Sequence, residues 1–116
     1  MEKDLKDLLL KDICMRLPYG TLVYAQNDMD WYESEICTQV LSDVINEDYI
    51  VKPYLFPLSS MTEEQKKELQ TLMIRDSYGI LYHTLESFNY MCKNNIDFRG
   101  LIPMGLANDA TGLNIY

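Results

Sequence analysis

The chain has 116 residues, 47% of them apolar, 11% aromatic and 24% charged, with a formal net charge of −8. That length allows one domain able to bury its own core without a disulfide or metal framework, and the composition excludes a disordered chain. The acidic balance disfavours direct binding to DNA or RNA, where Lys and Arg must displace counterions, and disfavours an anionic membrane for the same reason.

Residues 2–16 read as an amphipathic helix, because Leu5, Leu8, Leu9 and Ile13 recur at helical spacing while Leu10, Cys14 and Leu17 widen the stripe. Acidic residues in its early turns and Arg16 at its end complement the helix dipole. Pro18-Tyr19-Gly20 is turn chemistry leading into a β-prone run, Thr21 to Ala25, the first predicted strand. Gln26 to Asp30 has loop composition, and Trp31-Tyr32 favour a pleated surface. Ser34 to Ile45 fits two templates. Ile36, Val40 and Val44 with Cys37, Leu41 and Ile45 match a helix, whereas the Ile, Val and Thr content matches a strand. Its place between two β-like runs favours the strand.

Tyr49 to Pro57 is rich in β-formers but contains Pro53 and Pro57, each lacking a backbone donor, and so is expected as an edge strand or a polyproline-like segment. Proline at an edge blocks unwanted pairing, although such an edge can also receive a partner strand. Thr62-Glu63-Glu64-Gln65 is a capping box opening a helix with Leu69, Leu72 and Met73 as its buried stripe, ended by Asp76-Ser77-Tyr78-Gly79. A further helix is expected from about Ile80 to Lys93, with Leu81, Leu85, Phe88 and Cys92 inward and Asn94-Asn95 closing it in a left-handed conformation. Asp97 to Pro103 reads as an anchored turn, and Gly105 to Tyr116 as a tail laid over the body. The expected fold is therefore a single α+β domain over residues 1–116, in which an N-terminal helix and two later helices pack on a small antiparallel sheet of about three strands.

Three stretches, LKDLLLKDICMRLPYG, VKPYLFPLSSMTEEQKKELQ and IDFRGLIPMGLA, resemble small proteins encoded by gut Bacteroidales and their integrated phages. The runs KPYLFPLSSMTEE and DFRGLIPMGLA are the distinctive ones. The resemblance implies an intracellular, phage-associated context and a small meander of strands before the proline-rich segment. It brings no catalytic residue, ligand or activity with it.

Charge is concentrated in one third of the chain: Leu17 to Val51 has no Lys or Arg, while Asp28, Asp30, Glu33, Glu35, Asp43, Glu47 and Asp48 contribute −7. Such a surface either keeps the protein soluble or steers a basic protein partner, with Asp28, Asp30, Trp31, Tyr32, Glu33 and Glu35 as the expected contact surface. The acids from Asp28 to Glu35 lack the central glycine and terminal Glu of a calcium loop, and neither a metal nor a cofactor is expected.

His83 is the only histidine, and there is no C-x-x-C pair or glycine-rich phosphate loop. Cys14, Cys37 and Cys92 are odd in number and set among apolar neighbours, which predicts reduced, packed thiols. A small enzyme would have to combine His83, Arg99 and a carboxylate in one pocket. Arg99 itself suits an anion clamp, a cap on the carbonyls of the preceding helix, or a partner for Asp97. The remaining alternative is a self-assembling structural component. No run approaches the roughly 20 apolar residues of a membrane span, and the charges of MEKDLKDLLLKDI interrupt any signal-peptide core, so a cytoplasmic location is expected.

Overall fold

Helix α1 (Lys3–Arg16) opens the chain, and the computed structural model describes residues 1–116 from there to the C-terminus. Its fully inward positions are Leu9, Asp12, Ile13 and Arg16, spaced i, i+3, i+4 and i+7 as one helical face requires. Strands β1 (Leu22–Gln26) and β2 (Trp31–Glu35) form a hairpin, α2 (Thr38–Ile45) crosses over, and β3 (Ile50–Pro57) returns beside β1. There follow α3 (Glu63–Thr71), a hairpin of β4 (Ile74–Arg75) and β5 (Leu81–Tyr82), α4 (Leu85–Lys93), β6 (Ile96–Asp97) and β7 (Asn108–Asp109).

The fold is α+β, with four α-helices and a mixed sheet of five strands in the order β2-β1-β3-β6, β7 also pairing β3. Its antiparallel part, β2-β1-β3, matches the expected small three-stranded sheet only roughly, and β6 and β7 add short parallel pairings. The strand order is not that of a simple meander, because the α2 crossover carries β3 to the far side of β1.

Residues 34–45 correct the expectation of a continuous strand. Only Ser34 and Glu35 continue β2, and Thr38–Ile45 is helical. The four-residue spacing decides the outcome: Ile36, Val40 and Val44 are all buried against Leu9, Ile13, Val23, Ala25 and Val51 in the main core. Tertiary burial of that stripe outweighs the β-propensity of its Ile, Val and Thr.

β3 is interior rather than an edge. Ladder alternation turns the backbone groups of Ile50 and Lys52 toward β1 and those of Pro53 away, before the β7 pairing starts at Tyr54, so the missing N–H removes no rung. Where β1 and β3 separate, the Tyr116 hydroxyl accepts from Leu22 N at 2.9 Å and donates to the Tyr54 carbonyl at 2.6 Å, standing in for the next rung. The C-terminal segment is thus bonded into the sheet, with Ala110 N donating to the Leu55 carbonyl at 2.8 Å.

The capping box at Thr62 forms as expected, but no residue of α3 is fully buried, and Leu69, Leu72 and Met73 are only half-covered. The second later helix begins at Leu85 rather than near Ile80, because Thr84 and Ser87 make a capping box of their own and Leu81-Tyr82 pair with Ile74-Arg75. Its inward face is Ser87, Met91 and Cys92, while Leu85 stays exposed. Asn95 adopts the expected left-handed conformation at φ 58°. Of the three free cysteines only Cys92 is buried; Cys14 and Cys37 are exposed, since they lie outside the stripes that face the core. No helix is long and apolar enough to cross a membrane.

Candidate functional site

The acidic third of the chain is organised by the β1–β2 turn. Asn27 Oδ1 accepts from the backbone N–H groups of Met29 and Asp30 at 2.9 Å each, and Asn27 N donates to the Asp30 carbonyl at 3.0 Å. Asn27 Nδ2 also donates to the Asp48 carbonyl at 3.1 Å, which pins the turn to the loop after α2. Glu47 and Asp48 therefore line a groove of about 280 Å³ together with Asp28.

Alternation along β2 sorts the predicted contact residues. Trp31, Glu33 and Glu35 lie on the face of the sheet that no helix covers, and Trp31 is 62% exposed. The Tyr24 ring stacks on Trp31 with centroids 5.9 Å apart and planes at 19°. Across this face Glu33 stands opposite Tyr24, which stands opposite Lys52, while Trp31 is opposite Gln26 and then Ile50. Lys52 is the one cation among them. It lines a shallow depression of about 250 Å³ with Tyr24, Gln26, Ile50, Tyr54 and Asn108.

Tyr32 points the other way and is half-buried under α2. Its hydroxyl donates to Asp43 Oδ2 at 2.5 Å, while Gln39 Nε2 donates to Asp43 Oδ1 at 3.0 Å. Burial, reinforced by the Asp43 carboxylate, pushes the Tyr32 phenol well above its ordinary range. Tyr49 meets Tyr32 edge-on at 5.1 Å and donates to Asp30 at 2.7 Å, a hydrogen bond that raises its own pKa. Asp28, Trp31, Glu33 and Glu35 are thus free on the surface, Asp30 shares one oxygen with Tyr49, and Tyr32 supports the strand from beneath. Asp43 is buried and adds nothing to the acidic surface.

The backbone of β2 is available too. The bonds Asn27 N to Asp30 O and Ile36 N to Thr21 O fix the alternation, so Tyr32 and Ser34 bond to β1 while the backbone groups of Trp31, Glu33 and Glu35 face the outer edge. One of these, the Glu35 carbonyl, accepts from Ser34 Oγ at 2.9 Å.

A second charged cluster lies in the interior, where sequence reasoning placed none. Arg16 donates from Nε and Nη2 to the two carboxylate oxygens of Asp12 at 2.8 and 3.1 Å, and from Nη2 to the Ile96 carbonyl at 2.7 Å. Both side chains are fully buried. Arg99 pairs with the same carboxylate at 3.3 Å, and the two guanidiniums lie 5.1 and 5.0 Å from the Phe98 ring centroid. Arg16 therefore does more than complement a helix dipole, and Arg99 neither caps α4 nor pairs with Asp97. Asp97 is occupied by the N–H groups of Leu101 and Ile102, at 2.9 Å each. The available signal was spacing: Asp12 and Arg16 fall on the same helical stripe as Leu9 and Ile13. Burial also pushes the neighbouring Cys92 thiol up, against the opposing pull of the two arginines. This cluster ties α1 to the segment after α4 and is structural.

His83 is exposed, 3.0 Å from Ser87 Oγ through Nδ1, with its ring tilted 34° to that of Phe88 at a centroid distance of 5.0 Å. None of the five principal cavities is lined by His83 or Arg99. The groove between α3, α4 and the C-terminal segment, about 550 Å³, has Lys93 as its one charged residue, and Ser60 and Thr62 there are engaged in backbone bonds. No group of three or more His, Cys, Asp or Glu side chains converges as a metal site. Comparison with protein-family models, with curated proteins and with solved structures finds no match in any of the three.

Proposed function

We propose that the chain is a non-enzymatic binding or accessory protein that presents the open face and outer edge of β2 to a basic protein partner. The observation that carries this reading is Trp31, 62% exposed and stacked on Tyr24, flanked on the same face by Glu33 and Glu35 with Asp28 at the adjoining turn. An exposed aromatic anchor flanked along its strand and turn by carboxylates has the composition of a binding hot spot with electrostatic steering. The contact set is Asp28, Asp30, Trp31, Glu33 and Glu35, held from beneath by Tyr32. Nucleic acid is a poor ligand for it, because its charges repel phosphate.

We place the protein in the cytoplasm, in a phage or mobile-element context, on the resemblance of its KPYLFPLSSMTEE and DFRGLIPMGLA segments. Affinity capture of the tagged chain from host lysate across a salt gradient tests the function. A basic protein released at moderate salt, and not retained by the Asp28→Asn/Asp30→Asn/Glu33→Gln/Glu35→Gln variant, is the expected result, because exposed charges are screened within roughly 10 Å at 0.1 M salt. Retention indifferent to salt and to the four substitutions rejects the reading.

A further inference from the structure

The groove between α3, α4 and the C-terminal segment holds a buried side chain with one hydrogen-bonding group unused. Asn95 is 7% exposed and lies in the left-handed conformation at φ 58°. Its N–H donates to the Cys92 carbonyl at 3.1 Å, its carbonyl accepts from Phe56 N at 2.8 Å, and its Oδ1 accepts from the Thr21 hydroxyl at 2.8 Å. Only Nδ2 donates to nothing in the protein. It is not sealed in the interior, as Arg16 Nη1 and Arg99 Nε are, so the amide opens into the groove that Asn95 lines. A polar group at this depth is ordinarily satisfied, and the three bonds on the rest of the residue hold this one in a fixed direction.

The other groups of the groove agree with it in sign. Lys93 takes part in none of the ion pairs of the chain, and Gln65 spends its Oε1 on the Thr62 capping box, which leaves its Nε2 free to donate. Although the chain has 18 Asp and Glu residues, none lines the groove, and Glu63 and Glu64 at the start of α3 are exposed outside it. One wall is aromatic. The rings of Phe56 and Tyr116 lie 5.8 Å apart at 56°, and because the Tyr116 hydroxyl is committed to Leu22 and Tyr54, its ring is what the groove receives. The volume, about 550 Å³, is that of a small-molecule site, roughly 300–1,000 Å³.

We propose that this groove binds a small aromatic carboxylate, its carboxylate accepting from Asn95 Nδ2 and pairing with Lys93, its ring lying against Phe56 and Tyr116. One cation beside neutral amide donors matches a single negative charge rather than a phosphate dianion, and hydrogen bonds to an ionised oxygen are the stronger kind. The flat apolar wall selects an aromatic body. No residue of the groove belongs to the acidic face, so the two sites stand or fall separately.

Titration of the isotope-labelled chain with 2-naphthylacetate at constant ionic strength, followed by amide shifts in NMR, tests the proposal, with 2-naphthylacetamide and inorganic phosphate as the comparison ligands. The expected result is a saturable shift of the Asn95 side-chain amide and of the backbone amides of Lys93, Ile96 and Gly112, with both comparison ligands binding more weakly. Lys93→Gln, at an exposed position that leaves the fold intact, should weaken binding roughly three- to fivefold. Asn95→Asp keeps the acceptor for Thr21 and tolerates the left-handed backbone while removing the donor, and should weaken it at least about tenfold. No saturable shift up to about 10 mM, shifts that map outside the groove, the neutral amide or phosphate binding as tightly as the carboxylate, or Lys93→Gln binding as the parent does would each overturn it.

Discussion

Asp12→Asn removes the one carboxylate that the Arg16 and Arg99 guanidiniums share. Arg16 loses the charge facing its Nε and Nη2 at 2.8 and 3.1 Å and keeps only neutral acceptors, one amide oxygen and the Ile96 carbonyl, while its Nη1 already has no partner. Arg99 is 23% exposed at its side chain and can turn its charge toward water, whereas Arg16 is fully buried and cannot. Breaking a buried pair by removing one partner costs about 3–5 kcal/mol, and the partial escape of Arg99 places the expected loss near the lower figure, about 3 kcal/mol. Against a total stability of roughly 5–15 kcal/mol this is a large fraction. Equilibrium urea unfolding should show it as a fall in midpoint of roughly 1–3 M at unchanged slope. Asp12→Leu/Arg16→Met, which replaces both charges by apolar groups of similar size, should recover to within about 2 kcal/mol of the parent. A loss below about 1 kcal/mol for Asp12→Asn, or a double variant as unstable as its two single changes added, would refute the reasoning.

The neighbours Trp31 and Tyr32 should separate cleanly: Tyr32→Phe strips a hydrogen bond from the buried Asp43 and costs about 1.5–3 kcal/mol in urea unfolding, while Trp31→Ala changes stability little and abolishes partner capture. Thr84→Ala should cost about 1–2 kcal/mol, more than the roughly 0.5–1 kcal/mol of Thr62→Ala, because the Thr84 hydroxyl caps Ser87 N and also donates to the Leu72 carbonyl; thermal melts of the two variants compare them directly. Alkaline stability should depend on Tyr116, whose phenol burial pushes from 10.0 up to about 12. The unfolded chain then binds fewer protons than the folded one across that interval, so stability falls as pH rises through it, and Tyr116→Phe removes that share of the fall in a series of urea titrations.

What could be read from the sequence was local and periodic. The Thr62 capping box, the hairpin strands around Asn27 and the left-handed Asn95 follow from chemistry confined to a few residues, and all three form. The helix at Thr38–Ile45 was present in the spacing of Ile36, Val40 and Val44 but obscured by β-branched side chains, whose preference for strand is weaker than the burial they gain together. Two features depend on partners distant in sequence and so could not be read locally. Pro53 is tolerated in an interior strand because of the direction its nitrogen faces, and Asp12 and Arg16 stay charged in the core because Ile96 and Arg99 arrive from beyond α4. Within the acidic third, composition marks the stretch as a whole, but strand alternation, not composition, decides that Trp31, Glu33 and Glu35 face solvent while Tyr32 and Asp43 do not.

Trp31 is the only tryptophan, so intrinsic fluorescence reports on the proposed contact surface without a label. Titration of the chain with a lysine-rich extended peptide, followed by Trp31 emission at several salt concentrations, therefore tests the binding of basic partners directly. A saturable emission shift that weakens as salt rises, and is absent in the Asp28→Asn/Asp30→Asn/Glu33→Gln/Glu35→Gln variant, is the predicted result. Emission unmoved by the peptide at every salt concentration, or a shift that persists unchanged in the variant, contradicts it.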